Sequence, residues 1–422
     1  MTGHDHPDPS CQDDSDPVSL SIDAAWERIR ADIEPITTIE RVATRHALNR
    51  TLAEDIHSQV DVPANTNAAM DGYALRGADL DASGAAVLSL RGKALAGHPF
   101  HGMVTPGSCI RITTGAPIPD GADTVVMQER TTVEGDQVSV ASGQQPGQNV
   151  RQAGEDLARG QRVLARGQRI GVAELGVLGS MGLVEVPVFR RLRVAFFSTG
   201  DELRGAGEPL APGEIYDSNR YTLYAALAAL GVEATDMGVV SDTPEALEEA
   251  FGAAAGFADA IVTSGGVSVG EADYIKQILD ELGEVNFWKI AMRPGRPLAF
   301  GNLGGAWFFG LPGNPVSVVA TWYQFVRPAL CHLMGEEISR PLTFRVRTAG
   351  RLRKRPGRTE FQRGRLQRDE RGELVVSSTG NQGSGILSSV TAANCFIVLP
   401  HDSGPVAAGE YVEVQPLHGM FG

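Results

Sequence analysis

Apolar and polar positions alternate with a changing period along the chain, and each period predicts a different architecture. In "LSIDAAWERIRADI", Ile22, Trp26, Ile29 and Ile33 recur at helical spacing and predict an amphipathic helix. From about Arg50 to Val188 the pattern shortens to alternating stretches cut by Gly and Pro, such as "AVLSLRGKALAG", "SCIRITTGAPIPDGADTVVMQE" and "QVSVAS". These predict β-rich modules, with one helical interruption at "VAELGVLGSMG", residues 172–182. At Arg193 the style changes again. "VAFFSTG" precedes a helix with Leu223, Leu227 and Leu230 on one face, and "ATDMGVV" precedes a helix opened by Thr243 and Pro244. "DAIVTSGG" precedes a helix with Ile275, Ile278, Leu279 and Leu282 on one face, and "AWFFGLPG" a long helix starting at Asn314 and Pro315. Strands alternating with helices imply a doubly wound, mostly parallel sheet. From Pro341 onward "TFRVRTAGRL", "ELVVSS", "NCFIVLP" and "EYVEVQPL" alternate as strands of a separate C-terminal β domain. The expected fold class is therefore multidomain α/β plus β, with β-rich N-terminal modules.

Composition narrows the partners. Of 422 residues, 37 are Lys or Arg and 51 Asp or Glu, so the net charge of -14 disfavours non-specific binding to nucleic acid or to an anionic membrane. An anionic ligand must then meet a local basic pocket. Cys11, Cys109, Cys331 and Cys395 form no CxxC pair, which fits a reducing cytoplasm. No apolar run reaches the ~18 residues of a membrane span, and the N-terminus lacks the regions of a signal peptide. The acidic stretch "MTGHDHPDPSCQDDSDP" reads as a disordered tail, residues 1–18, whose His4, His6 and Cys11 are solvated rather than metal-bound.

Candidate chemistry gathers at the strand ends, because ligands of doubly wound sheets bind beyond the carboxyl ends of the strands. In "VTSGGVSVGEADYIK", Gly265, Gly266 and Gly270 lie between a strand and a helix, either as a plain turn or as a cradle for a phosphate or oxyanion. Neither a GxxxxGK[ST] loop nor a GxGxxG fingerprint is present. "FFSTGDEL" repeats the arrangement, so two strand ends present small residues followed by carboxylates: Asp201 and Glu202, then Glu271 and Asp273. These acids either sit solvated at helix starts or supply the hard oxygen ligands that suit Mg²⁺ alongside substrate phosphates. Lys289, Arg293 and Arg296 surround a Pro-Gly turn in "FWKIAMRPGRPLAF", and Arg345 to Arg371 holds eleven basic and three acidic residues. With few interleaved aromatics, that run favours a compact anion over nucleic acid.

"NTNAAMDGYAL", "RITTGAPIPDGADTVVMQE", "FFSTGDEL", "IYDSN", "TSGGVSVGEADY", "GLPGNPVS", "FQRG" and "GNQGS" resemble, in order and spacing, the molybdopterin molybdotransferases of the MoeA and gephyrin E-domain family. The resemblance runs from about residue 19 to the end. It implies an enzyme that takes adenylylated molybdopterin and molybdate, cleaves the adenylate with Mg²⁺ and leaves molybdenum on the dithiolene sulfurs. It implies that Lys289, Arg293, Arg363 and Ser384 surround the oxyanion, with Arg296 nearby. Glu202, Asp242 and Asp273 become candidates for the metal, and Ser264, Gly265, Gly266, Ser268 and Asp156 for substrate contacts. Pro312, Asn314 and Pro315 shape the adjoining turn. The expected domains are a discontinuous linking and dimerisation domain (19–60 and 150–190), an inserted β-rich domain (61–149), an α/β molybdopterin-binding domain (191–337) and a β-barrel-like C-terminal domain (338–422). The resemblance also implies a homodimer in which Asp71 and Thr114 face the partner's α/β site, and transient contacts with other cofactor-biosynthesis proteins and molybdoenzyme acceptors. Arg293 and Arg296 stand where many relatives carry lysine, and Asn381 and Gly385 where some carry histidine. Two other readings are an adenylyltransferase, whose single domain resembles residues 190–335, and a non-catalytic scaffold.

Overall fold

The computed structural model describes residues 19–265, 281–337 and 341–417. They fall into two compact units. One comprises Arg41–Leu48 and Leu52–Pro187; the other takes the described residues of Met1–Glu40, Asn49–Thr51 and Val188–Gly422.

The smaller unit is built on a six-stranded sheet in the order Thr124–Met127, Gly72–Leu75, Ser108–Ile112, Ala86–Ala94, Gln137–Val140, Thr131–Glu134. Its short strands alternate as the sequence pattern requires, and successive side chains feed different cores. Ala74, Ile110, Ile112 and Val125 pack in one, while Tyr73, Leu75, Cys109 and Val126 pack in another. Gly72 is obligatory here, because a Cβ would lie 1.9 Å from the carbonyl oxygen of Val126 on the neighbouring strand. Strand pairs Asn67–Ala68 with Val150–Arg151 and Ile56–His57 with Arg162–Leu164 extend this unit, together with the helix Val172–Ser180.

The larger unit contains the doubly wound sheet, ordered Glu233–Val240, Arg193–Thr199, Ala260–Ser264, Ala306–Leu311, Pro297–Leu303, Gly283–Lys289. The first four strands run parallel, and the last two join antiparallel. The sheet is thus mostly parallel, as the alternating pattern predicts. Leu223, Leu227 and Leu230 are buried on one face of the helix Ser218–Leu230, and each such side chain contributes about 1.5–3 kcal/mol. Thr243 caps the helix Pro244–Ala255 by accepting from the Ala246 amide at 3.4 Å. The N-terminal helix Ile22–Asp32 adds Ala25 and Ile29 to the same core, with Ile22 and Trp26 packed at its margin. Ile275, Ile278 and Leu279 lie outside the described residues.

The C-terminal strands close into a five-stranded barrel: Thr359–Arg368, Leu374–Ser378, Phe344–Thr348, Tyr411–Pro416 and Cys395–Leu399, the last pairing back to the first. Closure leaves no free edge within the ring. Phe361 and Phe396 of the barrel pack with Trp322 and Tyr323 of the helical stretch that follows Asn314, so barrel and sheet share a core.

Candidate active site

Register explains why the predicted turns converge. Thr199 pairs with Val240, Ser198 with Ser264, and Ser264 with Leu311, so these parallel strands end at nearly the same level. The turns that follow carry Glu202, Asp242, Gly265 and Pro312. Glu202 and Asp242 are exposed, and the Asp242 amide donates to Asp201 Oδ1 at 3.3 Å, tying two of the turns together. Gly265 has φ +98°, and a Cβ there would meet the Thr199 carbonyl oxygen at 2.3 Å. Asn219 Nδ2 donates to both Ser264 Oγ and the Gly313 carbonyl at 2.7 Å, locking the Gly265 turn to the Pro312–Pro315 turn. Among the described residues, Ser198 Oγ, Thr199 Oγ1 and Asn219 Oδ1 are buried without hydrogen-bond partners. Each unmade bond costs about 1–3 kcal/mol, a penalty that a polar ligand at this edge can relieve. Gly266, Ser268 and Asp273 lie outside the described residues. Among the described residues, no three His, Cys, Asp or Glu side chains cluster as a metal centre.

The cationic side is assembled from two domains. Lys289 ends its strand exposed, and half-buried Arg293 and Arg296 flank the turn that contains the cis Arg293–Pro294 peptide. Arg293 lies in register with Glu360 of the barrel strand that also carries Arg363. Arg363 is 1% exposed. Its Nε donates to Ser389 Oγ at 2.9 Å and its Nη2 to the Gly383 carbonyl at 3.0 Å. Among the described residues it has no carboxylate partner. Burial, with the positive charge of Arg293 added, pushes its pKa down to about 10. The Ser384 carbonyl accepts from the Val316 amide at 3.0 Å, so the 383–387 turn meets the helix that begins at Pro315. Asn314 holds the cap position there, and among the described residues its side chain makes no capping hydrogen bond.

The long basic run is only partly a solvated face. Lys354 and Arg358 are buried along with Arg363, and Lys354 Nζ donates to the carbonyls of Arg355 and Arg358 at 2.5 and 2.7 Å. Beside the 383–387 turn lies a groove of about 810 Å³ lined by Tyr216, Asp217, Ser218, Tyr221, Thr222 and Leu387. Sequence reasoning missed this groove and the partners of Arg363. The "IYDSN" and "GNQGS" stretches were visible, but not the folding together that gives them their contacts.

In the smaller unit, Asp71 Oδ1 accepts from the Thr114 amide at 2.7 Å and from its hydroxyl at 2.8 Å. The structure therefore brings these two predicted residues together. Both hydrogen bonds, with the amide contributing most, hold the Asp71 carboxyl below its ordinary pKa. Asp156 is exposed in another turn, where its amide donates to the Val62 carbonyl at 3.1 Å.

Comparison with known proteins follows this domain order. Residues 20–182 match the MoeA N-terminal region (domain I and II), residues 195–332 a probable molybdopterin binding domain, and residues 345–417 the MoeA C-terminal region (domain IV). A molybdopterin molybdenumtransferase of Haemophilus influenzae is 44% identical over 405 residues, 96% of this chain and 100% of that protein. The chain belongs to the MoeA family. A second MoeA-family relative, a molybdopterin molybdenumtransferase of a Nostoc species, is 37% identical over 379 residues, 88% of this chain and 87% of its own. The crystal structure of a molybdopterin biosynthesis MoeA protein from Pyrococcus horikoshii superposes with a TM-score of 0.80 at 29% identity, covering 94% of this chain and 100% of that one. Among the described residues, no helix is long and apolar enough to cross a membrane.

Proposed function

We propose that this chain is a molybdopterin molybdenumtransferase of molybdenum cofactor biosynthesis. It inserts molybdenum from molybdate into adenylylated molybdopterin with Mg²⁺-dependent release of AMP. The observation that carries this reading is Arg363, a buried guanidinium without a carboxylate partner among the described residues and close enough to Arg293 to feel its charge. Two cations brought together in a low-dielectric setting cost free energy, and a dianion such as molybdate offsets it. Lys289, Arg296 and Ser384 complete the oxyanion site in this reading, each charge-assisted hydrogen bond contributing about 1.5–3 kcal/mol.

The diphosphate of the substrate lies along the carboxyl edge of the sheet, over Ser264, Gly265 and the Pro312–Pro315 turn. The pterin ring system takes the tyrosine-lined groove, whose volume suits a ligand of that size. Glu202 and Asp242 fit Mg²⁺ by their oxygen chemistry and by the neighbouring strand ends that carry them, with Asp273 as a third candidate. When bound, the ion neutralises charge on the diphosphate. Glu202 and Asp242 would hold the ion together with substrate oxygens. The protein works in the cytoplasm as a homodimer in which Asp71 and Thr114 reach the partner's site, and it passes its product to molybdoenzyme acceptors. Neither nucleic acid nor a membrane takes part.

The test is product analysis with purified protein and adenylylated molybdopterin. AMP and metal-loaded pterin are expected only when molybdate and Mg²⁺ are both present. Formation of the adenylylated pterin from ATP would identify an adenylyltransferase instead. Tight pterin binding with no AMP under any condition would leave a scaffold.

A further inference from the structure

The oxyanion reading leaves open how one arginine is held ready for an anion. Arg363 has five N–H donors. Three contacts are already fixed, all to neutral oxygens: Nε to Ser389 Oγ at 2.9 Å, and Nη2 to the carbonyls of Gly383 at 3.0 Å and Asn381 at 3.5 Å. Ser389, itself 6% exposed, is held in turn by donating to the Ile386 carbonyl at 2.6 Å. Gln382 grips the peptide on either side of the same residue. Its Oε1 accepts from the Arg363 amide at 2.7 Å, and its Nε2 donates to the Arg363 carbonyl at 3.1 Å. Among the described residues, Nη1 has no protein acceptor. One edge of a buried guanidinium therefore keeps unspent donors while the other edge is committed to the protein.

We propose that Ser389 and Gln382 are positioning residues of the oxyanion site. They fix the Arg363 guanidinium so that Nη1 is presented to a tetrahedral dianion. The proposal rests on the oxyanion role given to Arg363 above. It adds that affinity depends on the orientation of the fork as well as on its charge, because a guanidinium binds oxyanions through fixed directions. Ser389 is the more informative of the two: it touches the side chain, its hydroxyl bonds only Nε and the Ile386 carbonyl among the described residues, and it lies five residues beyond Ser384 in a stretch with no chemical signature.

The experiment measures binding of sodium molybdate to the full-length protein by calorimetry, with AMP binding and the thermal midpoint as parallel readings. Ser389→Ala is expected to weaken molybdate by about tenfold, the loss of roughly one charge-assisted hydrogen bond, and to leave the AMP constant unchanged. Ser389→Thr, which keeps the hydroxyl, restores molybdate binding to within about twofold. Gln382→Met repeats the test at a half-exposed position if Ser389→Ala lowers the thermal midpoint. Arg363→Ala separates the two readings. If it binds molybdate like the parent, the oxyanion role of Arg363 is wrong. If it loses molybdate while Ser389→Ala and Gln382→Met both keep parental affinity, Arg363 stands and its positioning by these residues is refuted.

Discussion

Asp71 and Thr114 form a closed two-bond ring in which one carboxylate oxygen accepts both the amide and the hydroxyl of the threonine, at 2.7 and 2.8 Å. Both residues are exposed, so the ring fixes a carboxylate in the charged state at the surface without burying it. The carboxyl titrates below its ordinary value, so its contribution to stability is present above that value and fades as pH falls through the lowered one. Thr114→Val removes the hydroxyl and keeps the amide. The Asp71 pKa is expected to rise toward, but not reach, the ordinary value, as read from carboxyl carbon shifts in an NMR titration. An unchanged titration would mean that the hydroxyl bond is not made in solution.

The proposed placement of Asp71 opposite a partner's site makes a genetic forecast. Asp71→Asn and Asp273→Asn proteins are each expected to be inactive, while mixed dimers recover activity, because one of the two shared sites is then intact. The yield after random mixing sets the scale: about half the dimers are mixed, and each carries one working site of two. AMP release by co-refolded protein at about a quarter of the parental rate supports the shared site; recovery no greater than in either single variant would remove it.

Arg363 should couple ligand to stability. Its folded-state pKa, about 10, lies below the ordinary arginine value, so its buried charge costs stability at neutral pH, and that cost begins to fall only as pH rises above the lowered value. An anion that pairs with it relieves the cost at neutral pH. At roughly a hundredfold excess over its Kd, molybdate is expected to add about 2.7 kcal/mol and raise the unfolding temperature by several degrees. Arg363→Ala is expected to abolish that rise, while sodium chloride at equal ionic strength produces none in either protein.

Much of the larger unit was legible because local pattern and tertiary role agree there. Leu223, Leu227 and Leu230 recur at helical spacing, and the sheet uses that whole face. Thr243 followed by Pro244 reads as a helix start and is one. The barrel strands also alternate plainly, but their closure does not, since the pairing of Cys395 with Gly364 joins distant segments that no local period encodes. The site divides the same way. Glu202 and Gly265 could be found because turns after apolar strands announce themselves, whereas Asp242 came only through the family resemblance. Ser389 and Gln382 could not, because their importance comes from touching a barrel arginine, and a serine in "ILSSVTAAN" has no chemistry of its own to advertise.

Gly265 is needed for its backbone. With φ +98° any side chain is strained, and a Cβ would stand 2.3 Å from the Thr199 carbonyl, a backbone atom that cannot swing aside. Gly265→Ala is expected to destabilise the protein by about 2 kcal/mol or more, measured as a lower urea midpoint with an unchanged slope. Gly207→Ala, also at positive φ but in open space, is the matched control and should cost less. Equal losses at the two positions would show that strain alone, and not contact with the Thr199 strand end, sets the requirement.

Asn219 offers a test that separates donation from bulk. Its amide nitrogen donates to Ser264 Oγ and to the Gly313 carbonyl, both at 2.7 Å, from a position 9% exposed. Asn219→Ala deletes both bonds and is expected to cost about 1–3 kcal/mol in urea unfolding. Asn219→Asp keeps the shape but replaces the donor with an acceptor facing the Gly313 carbonyl. At neutral pH it is expected to be less stable than the alanine variant, because a charge is buried against an acceptor. Protonation restores one donor, so burial raises the pKa of the new carboxyl, and the aspartate variant should gain on the alanine variant as pH falls through that raised value. If the two variants keep the same difference at neutral and mildly acidic pH, the amide of Asn219 is not what joins the two turns.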